Sequence, residues 1–250
     1  MSEVIELGVP GVQARLSTRT GGHSSGPWAG ANQGRLSGDA WPLVAANRAW
    51  LARRAGLPAP AQYLAQVHGS EIIEWAARRR FVAGEPRADA QHTERPNYPL
   101  AVLAADCLPV LLCDARGERV AAAHAGWRGL AAGILPRLLR ELRALLPAGR
   151  GLHAWVGPAI GPCHFAVGPE VARAFGPAYA AAFRRDEAGQ LYGDLPGIAA
   201  AQLSAAGVQT RVDGRCTHCR PEQFYSHRRE APCGRMAAVI WREGHSRESC

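Results

Sequence analysis

Short apolar runs bounded by turn residues recur along the chain, and runs of this length are typical of β-strands. Because most of these runs are nearly continuous rather than alternating with polar residues, they suit strands that are buried on both faces. The pattern predicts strands at residues 62–67, 71–75, 100–103, 110–113, 119–123, 152–156 and 237–241.

Apolar residues spaced three or four apart predict helices between these strands. Residues 42–55 start with a proline and end before Gly56, as helices commonly do. Residues 129–146 carry one leucine-rich stripe, and Pro136 predicts a kink within it. Shorter helices are predicted at 169–175 and 198–206. Strands and helices mix without a regular βαβ order, which predicts an α+β fold with mixed β-sheets flanked by helices.

The length of 250 residues allows one large core, and no repeat or polar linker divides the chain. We therefore expect a single domain over residues 1–243 and a short C-terminal tail at 244–250. No apolar stretch is long enough to span a membrane, and the N-terminus has Glu3 and Glu6 where a signal peptide would be basic. These features predict a soluble, cytoplasmic protein without a membrane partner, and they leave the oligomeric state open.

The net charge of +8 changes this picture little. All 29 basic residues are arginine, a bias that a GC-rich genome would also produce, so the charge is weak evidence for nucleic-acid binding. An anionic small substrate such as phosphate fits the charge equally well. We therefore expect no nucleic-acid partner.

The seven cysteines are an odd number without an export signal, which favours thiols or metal ligands over a disulfide framework. Cys216 and Cys219 form a C-x-x-C pair that could bind structural zinc, with His218, His227 or Cys233 as further ligands. The pair could also be redox active. Of these alternatives and plain packing, we expect packing.

Three turns each place a metal-capable residue directly after an apolar run: His68, Cys107 and His124. If the turns converge, two imidazoles and a thiolate form a zinc site with one open position, as in catalytic sites. Asp106 would then be suited to orient an imidazole through a hydrogen bond. A lone histidine or cysteine is more often a packed residue than a ligand, so from the residues alone both interpretations stay open.

Several familiar motifs are absent. The sequence has no phosphate-binding P-loop, no G-x-G-x-x-G fingerprint and no zinc-deaminase pattern. None of the nine histidines forms an H-x-H pair, which weighs against a multicopper oxidase with histidine-rich copper clusters.

Eight sequence blocks resemble the signature blocks of the laccase-domain, or polyphenol oxidase, family, whose members are now regarded as purine nucleoside phosphorylases. The blocks cover most of the chain in order: TRTGGHS (18–24), QVHG (66–69), PLAVLAADCLPV (99–110), AHAGWRG (123–129), VGPAIGPC (156–163), CTHC (216–219), FYSHRR (224–229) and GRMAAVIW (234–241).

The resemblance implies a catalytic zinc site at His68, Cys107 and His124. It further implies phosphorolysis of adenosine, inosine and S-methyl-5′-thioadenosine to the free base and (methylthio)ribose 1-phosphate, with an adenosine deaminase side activity. Copper in the same site would make a polyphenol oxidase the alternative, and relatives linked to peptidoglycan editing make a cysteine-dependent hydrolase another.

Two blocks depart from the family pattern. Residues 31–34 read Ala-Asn-Gln-Gly and keep Asn32, and residues 88–93 read Ala-Asp-Ala-Gln-His-Thr. The first departure puts the packing next to the pocket in doubt. We expect neither to touch the three ligands.

Phosphorolysis needs a group that binds a phosphate dianion, and the planar guanidinium of arginine suits it. Candidates next to the family blocks are Arg19, Arg48, Arg128 and Arg228, of which Arg48 and Arg128 are favoured. We expect His227 to act as an acid or base, and Asn32 to contact the sugar or base of the nucleoside.

Overall fold

The strands and helices below are those of a computed structural model, which describes residues 2–76 and 84–244. The strands are β1 (Ser2–Ile5), β2 (Val12–Ser17), β3 (Ile72–Glu74), β4 (Ala90–Thr93), β5 (Leu100–Ala104), β6 (Leu108–Asp114), β7 (Val120–Ala125), β8 (Leu152–Val156), β9 (Ala166–Val167), β10 (Phe183–Arg185), β11 (Leu191–Gly193), β12 (Gln209–Val212) and β13 (Met236–Arg242). The helices are α1 (Trp41–Ala55), α2 (Trp127–Ala131), α3 (Ile134–Leu145), α4 (Pro169–Phe175), α5 (Leu195–Ala205) and α6 (His227–Glu230), with 3₁₀ turns at Gly26–Trp28 and Pro177–Ala182.

Two sheets form the centre of the fold. One is antiparallel with the order β1-β2-β13-β5, and the other is mixed with the order β12-β8-β6-β7-β4-β3. A smaller antiparallel sheet has the order β10-β11-β9. The expected α+β fold with mixed sheets and flanking helices is confirmed.

Strand β6 shows why a continuous apolar run becomes a central strand. Leu108, Val110 and Leu112 pack in the cluster that includes α3 and α5, whereas Leu111 and Cys113 face the cluster shared with the other sheet. All five side chains are buried. Successive side chains of a strand point to opposite faces, so a strand covered on both sides must be apolar throughout. Helix α1 covers the outer face of the four-stranded sheet.

Two expected elements differ from the structure. Residues 62–67 form isolated bridges instead of a strand, because the Gln66 side chain exchanges hydrogen bonds with the backbone N–H and C=O of Leu103. The helix expected at 129–146 is interrupted at Gly133, whose φ of +78° ends α2 and precedes α3. Pro136 lies in the first turn of α3, where its missing N–H would have no helical partner, so the expected kink is wrong.

The two central sheets place several turns at the same end of the molecule. Leu108 at the start of β6 pairs with Ala125 at the end of β7, so Cys107 lies next to the residues that follow β7. The turn that carries Cys107 also joins β5 of one sheet to β6 of the other. Within the described residues, no helix is both long and apolar enough to cross a bilayer. Of the tail expected at 244–250, all but Gly244 lies outside the described residues.

Candidate active site

His68, Cys107 and His124 converge at this end of the sheets. One ligand atom from each lies within 4.8 Å of the others, and the two imidazole rings meet edge to face with centroids 4.9 Å apart. His124 is buried on β7, Cys107 is half-buried in the turn before β6, and His68 is exposed in the turn after residues 62–67. A set of two imidazoles and one thiolate suits zinc, and also copper(II). The structure therefore brings together the three residues from which a metal centre was expected.

Asp89, a buried residue just before β4, orients two of the three ligands. Its Oδ1 accepts a hydrogen bond from Nδ1 of His124 at 2.9 Å, which leaves Nε2 of that ring for a metal. The same carboxylate accepts the backbone N–H groups of Val67, His68 and Gly69 at 2.7–3.2 Å. The turn holds His68 at a φ of +60°, a conformation that non-glycine residues seldom adopt. One carboxylate thus fixes both a ligand ring and a ligand-bearing turn.

The charged forms of Cys107, His124 and Asp89 stabilise one another. Burial alone would raise the pKa of the Cys107 thiol, but the nearby imidazoles of His124 and His68 lower it to about 6. Burial also disfavours charge on His124, yet the Cys107 thiolate and the Asp89 carboxylate raise its pKa to about 9. For Asp89, hydrogen bonds from His124 and the turn outweigh burial and lower the pKa. The site therefore favours the Cys107 thiolate, the form that binds metals, and His124 would release its second proton when its Nε2 binds one.

The three ligands line a cavity of about 420 Å³, a volume within the range of small-molecule pockets. Its apolar wall consists of leucine, isoleucine and aromatic side chains, whereas its charged rim is mainly cationic. The apolar residues are Leu36, Leu64, Leu103, Trp127, Ile160 and Phe165, and the cationic ones are Arg128, Arg228 and Arg235. Of the carboxylates in the wall, Glu85 is paired with Arg48, and Asp106 accepts two hydrogen bonds. The cavity suits a partly apolar ligand with an anionic group.

The profile of the family described as multi-copper polyphenol oxidoreductase laccase matches residues 13–243. This chain belongs to that laccase-domain family. The resemblance expected from the sequence blocks is confirmed.

This laccase-domain protein is 40% identical over 238 residues to an Escherichia coli (strain K12) protein named purine nucleoside phosphorylase YfiH, covering 92% of this chain and 94% of the relative. It is also 40% identical over 236 residues to purine nucleoside phosphorylase PA4543 of Pseudomonas aeruginosa, covering 92% and 93%. Among solved structures, NMB0706 of Neisseria meningitidis superposes with a TM-score of 0.87 at 35% identity over 98% of this chain and 99% of that one. YlmD of Geobacillus stearothermophilus superposes with a TM-score of 0.84 at 32% identity, covering 94% and 93%.

Three of the residues expected to bind substrate line the cavity of this laccase-domain protein: Arg128, His227 and Arg228. Arg128 is exposed, with its guanidinium over the ring of Trp127. The Arg228 guanidinium donates to the carbonyl of Ala166 at 2.7 Å, and its backbone N–H donates to Asp106. These positions keep all three available as substrate contacts.

Arg19 and Arg48, the other two arginines considered for phosphate binding, are engaged by other partners. The Arg48 guanidinium lies 3.6 Å from the ring centroid of Tyr63 and donates to Glu85 and to the carbonyl of Gln33. The Arg19 guanidinium pairs with Glu230 at 3.0 Å. Neither residue is in the cavity wall. The geometry therefore gives no support to phosphate binding by Arg19 or Arg48.

Asn32 is fully buried behind the cavity instead of lining it. Its Nδ2 donates to Ser37, and its Oδ1 accepts from the backbone N–H groups of Gly34 and Arg235 at 2.9 Å. Those three partners are in the cavity wall. Asn32 therefore acts on the pocket by positioning other residues.

Asp106 has a different task from the one expected. Its carboxylate accepts from the Thr217 hydroxyl at 2.6 Å and from the Arg228 N–H at 2.7 Å, and the imidazole of His124 is held by Asp89 instead. Asp106 has a φ of +87° directly before Cys107, a strained conformation that these bonds maintain.

Sequence reasoning missed Asp89 and Arg235. Asp89 lies in the Ala-Asp-Ala block, which was expected not to touch the ligands, although the structure shows that it does. The signal was present, since a carboxylate in a family block of an apolar region suggests a buried partner. Arg235 lies in the GRMAAVIW block and differs in no visible way from the other arginines, so only its place in the cavity wall reveals it.

Proposed function

We propose that this protein is a zinc-dependent purine nucleoside phosphorylase. Its substrates are phosphate and the nucleosides adenosine, inosine and S-methyl-5′-thioadenosine, and its products are the free base and (methylthio)ribose 1-phosphate. The proposal rests on one observation: His68, Cys107 and His124 converge on a cavity with a cationic rim, in a chain 40% identical to proteins named purine nucleoside phosphorylase.

Arg128 and Arg228 provide the phosphate site. Both residues line the cavity together with the ligand residues, and arginine forks bind phosphate oxygens in pairs. Arg228 is anchored to the site by its backbone N–H, which donates to Asp106. Arg235 adds a third positive charge, although its guanidinium also donates to the carbonyls of Cys233 and Gly234. The cluster holds phosphate and screens its repulsion from the Cys107 thiolate.

The apolar wall accommodates the purine and the sugar. A phosphate oxygen forms a bond to the anomeric carbon while the bond from that carbon to the purine nitrogen breaks, and the electron pair leaves with the base. The departing base needs a proton, and the exposed His227 imidazole at the cavity wall is the group that can deliver it. His68, Cys107 and His124 would hold a zinc ion, which would supply positive charge to polarise a bound oxygen.

Two further activities fit the same cavity. Attack of water on C6 of the adenine ring, with ammonia as the leaving group, would deaminate adenosine as a side activity. Copper binds most nitrogen and sulfur sites more tightly than zinc, so a copper-loaded protein could oxidise phenols, in line with the family description. In the described part of the chain, the clusters that could hold a metal contain few histidines, which favours the phosphorylase over a multicopper oxidase. A cytoplasmic location is supported by the cysteines, all free thiols in the described residues.

Chromatography of adenosine and inosine after incubation with protein of known metal content tests the proposal. We expect free base and ribose 1-phosphate only when phosphate is present. Inosine formed from adenosine without phosphate would report deamination. If metal-loaded protein consumes no nucleoside, or consumes it equally well without metal, the zinc-dependent phosphorylase is wrong, and the second result would favour a cysteine-dependent enzyme.

An arginine variant tests the phosphate site separately. Arg128→Gln removes a charge from the cavity wall, and we expect the KM for phosphate to rise about tenfold, the loss of one charge-assisted hydrogen bond. Arg140→Gln removes an exposed charge from α3, outside the cavity wall, and serves as the matched control. Equal phosphate KM values for the two variants would exclude Arg128 from phosphate binding.

A further inference from the structure

A second cluster of metal-capable side chains lies on the two loops that follow β8 and β12. These strands are parallel neighbours, so their C-terminal ends emerge at the same edge of the sheet. The loops then pair with each other, because Ala159 bridges Cys216 and accepts the N–H of Thr217 at 2.9 Å. The pairing brings together two residues after β8, Cys163 and His164, and two after β12, Cys216 and Cys219.

The four side chains already have the spacing of a tetrahedral metal site. Their ligand atoms all lie within 4.8 Å of one another. The Sγ atoms of Cys163 and Cys219 are 3.7 Å apart, and Nδ1 of His164 lies 3.2 Å and 3.3 Å from them. Zinc–sulfur bonds of about 2.3 Å and zinc–nitrogen bonds of about 2.1 Å place tetrahedral ligands ~3.6–3.8 Å apart. One ion would fit with small movements of the side chains.

Neighbouring groups prepare the ligands for a metal. The backbone N–H of Gly161 donates to Sγ of Cys216 at 3.2 Å, a bond that favours the thiolate form. The His164 ring stacks on the ring of His218 at 4.0 Å and is thereby oriented. The Arg229 guanidinium donates to the carbonyls of Thr217 and His218 and holds the turn between the two cysteines. The ligands are therefore fixed by contacts outside the cluster.

Plain packing, the expectation for the C-x-x-C pair, does not explain this arrangement. Cys163 and Cys219 are exposed, so their thiols contribute little to a core. None of the further ligands considered from sequence belongs to the cluster: His218 stacks on the ring of His164, His227 lines the cavity, and Cys233 is buried between the sheets.

We propose that Cys163, His164, Cys216 and Cys219 bind a structural zinc ion. Three thiolates and one imidazole are a common ligand set of structural zinc sites, and four protein ligands leave no open position for a substrate. The ion would cross-link loops that lie 56 residues apart in the chain. One of these loops carries Thr217, whose hydroxyl holds Asp106 next to Cys107. The second site thereby stabilises the wall of the first.

Metal analysis of matched variants tests this site without any activity measurement. The full chain is purified under reducing conditions and loaded with zinc, and its metal content is measured for wild type, Cys219→Ser and Cys163→Ser. We expect each variant to lose one zinc per chain and to melt at a lower temperature. Cys113→Ala, a change at a buried cysteine outside both clusters, should keep the wild-type zinc content.

The result is independent of the proposed phosphorylase site. Cys107→Ser removes a ligand of the first cluster only, so its loss of zinc should add to that of Cys219→Ser. If the first cluster binds no zinc, Cys219→Ser still loses one equivalent. Wild-type zinc content in both Cys219→Ser and Cys163→Ser would overturn the second site. Wild-type protein that binds no zinc at this cluster under reducing conditions, and that shows Cys163 and Cys219 in one cross-linked peptide when purified without reductant, would also overturn it and identify a disulfide.

Discussion

The two cysteine–histidine clusters of this protein contain the same types of side chain in different numbers and surroundings. The first has three ligands, and all of them line a cavity of about 420 Å³. The second has four ligands on paired surface loops. Three ligands leave a coordination position for chemistry, whereas four satisfy a tetrahedral ion and leave only a cross-link. The number of ligands and the presence of a cavity, more than the residue types, distinguish a reactive centre from a stabilising one.

The clusters also differ in how their ligands are supported. In the first, the buried carboxylate of Asp89 holds a ligand ring and a ligand-bearing turn. In the second, the ligands are held by a backbone N–H group, by backbone carbonyls bound to Arg229 and by the stacked ring of His218. A buried carboxylate adds negative charge beside the metal and increases the basicity of the imidazole. Asp106 lies between the clusters, bonded to Thr217 and adjoining Cys107 in the chain.

The largest expected effect separates the two clusters by activity. Cys107→Ala removes a ligand at the cavity, and we expect nucleoside turnover to fall about 1,000-fold, since metal assistance contributes several kcal/mol. Cys219→Ala alters the other cluster and should keep turnover within about threefold at temperatures where it stays folded. Steady-state phosphorolysis assays, with circular dichroism to verify folding, make the comparison. A Cys107→Ala protein with full turnover would remove the basis for the catalytic cluster.

Asp89→Asn tests whether a carboxylate supports the first cluster. The amide keeps one acceptor oxygen, but its NH₂ group would face the donors of Val67 and Gly69, and the negative charge next to His124 is lost. We expect zinc affinity at the first cluster to fall about 10- to 100-fold, the usual effect of such a change. Competition with a chromophoric chelator measures the affinity. An unchanged affinity would show that the contacts of Asp89 serve folding alone.

Much of the fold was predictable because the central strands are buried on both faces. Strands β6 and β7 are apolar at almost every position, so the sequence marks them without any knowledge of their partners. The break at Gly133 and the missing strand at 62–67 were not predictable in this way. Both Gly133 and Pro136 could interrupt the helix, and the sequence does not show that the left-handed glycine does so. At residues 62–67, the Gln66 side chain makes hydrogen bonds to the Leu103 backbone that a strand partner would otherwise make.

For the candidate site, the metal-capable residues were predictable from the sequence, but the residues that hold them in place were not. His68, Cys107 and His124 carry recognisable chemistry in recognisable blocks, whereas Asp89 resembles any other acidic residue until its partners are known. The second cluster could not be predicted for a different reason. Its C-x-x-C half is visible in the sequence, but Cys163 and His164 meet it only through the parallel pairing of β8 with β12, which no local pattern specifies.

A smaller effect is expected from filling the space between the ligands of the first cluster. In Gly126→Ala, the added Cβ would lie 3.0 Å from Sγ of Cys107 and 3.3 Å from Cδ2 of His68. The φ of −70° at this position suits alanine, so the change acts through crowding and not through backbone strain. A cost of about 1 kcal/mol corresponds to a roughly fivefold loss of zinc affinity.

Gly151→Ala is the control for this change. Its Cβ would meet only Ala115, at an ordinary contact distance of 3.6 Å. The same chelator competition should give wild-type zinc affinity for Gly151→Ala. If Gly126→Ala also binds zinc with wild-type affinity, then zinc is not bound between Cys107 and His68.

The smallest expected effect concerns the link between the two clusters. Thr217→Val removes the hydroxyl that donates to Asp106 at 2.6 Å and keeps the shape of a fully buried side chain. Loss of a donor to a buried carboxylate should lower the free energy of unfolding by about 1–3 kcal/mol, measured by urea denaturation. Thr210→Val, which removes a β12 hydroxyl that donates to the carbonyl of Val208 just before the strand, is the matched control and should cost less. Turnover should fall less than about threefold, since Asp106 keeps its bond to the Arg228 N–H and no ligand is lost. A larger fall in turnover, with stability unchanged, would mean that Thr217 acts on the cavity directly and that the two clusters are one functional unit.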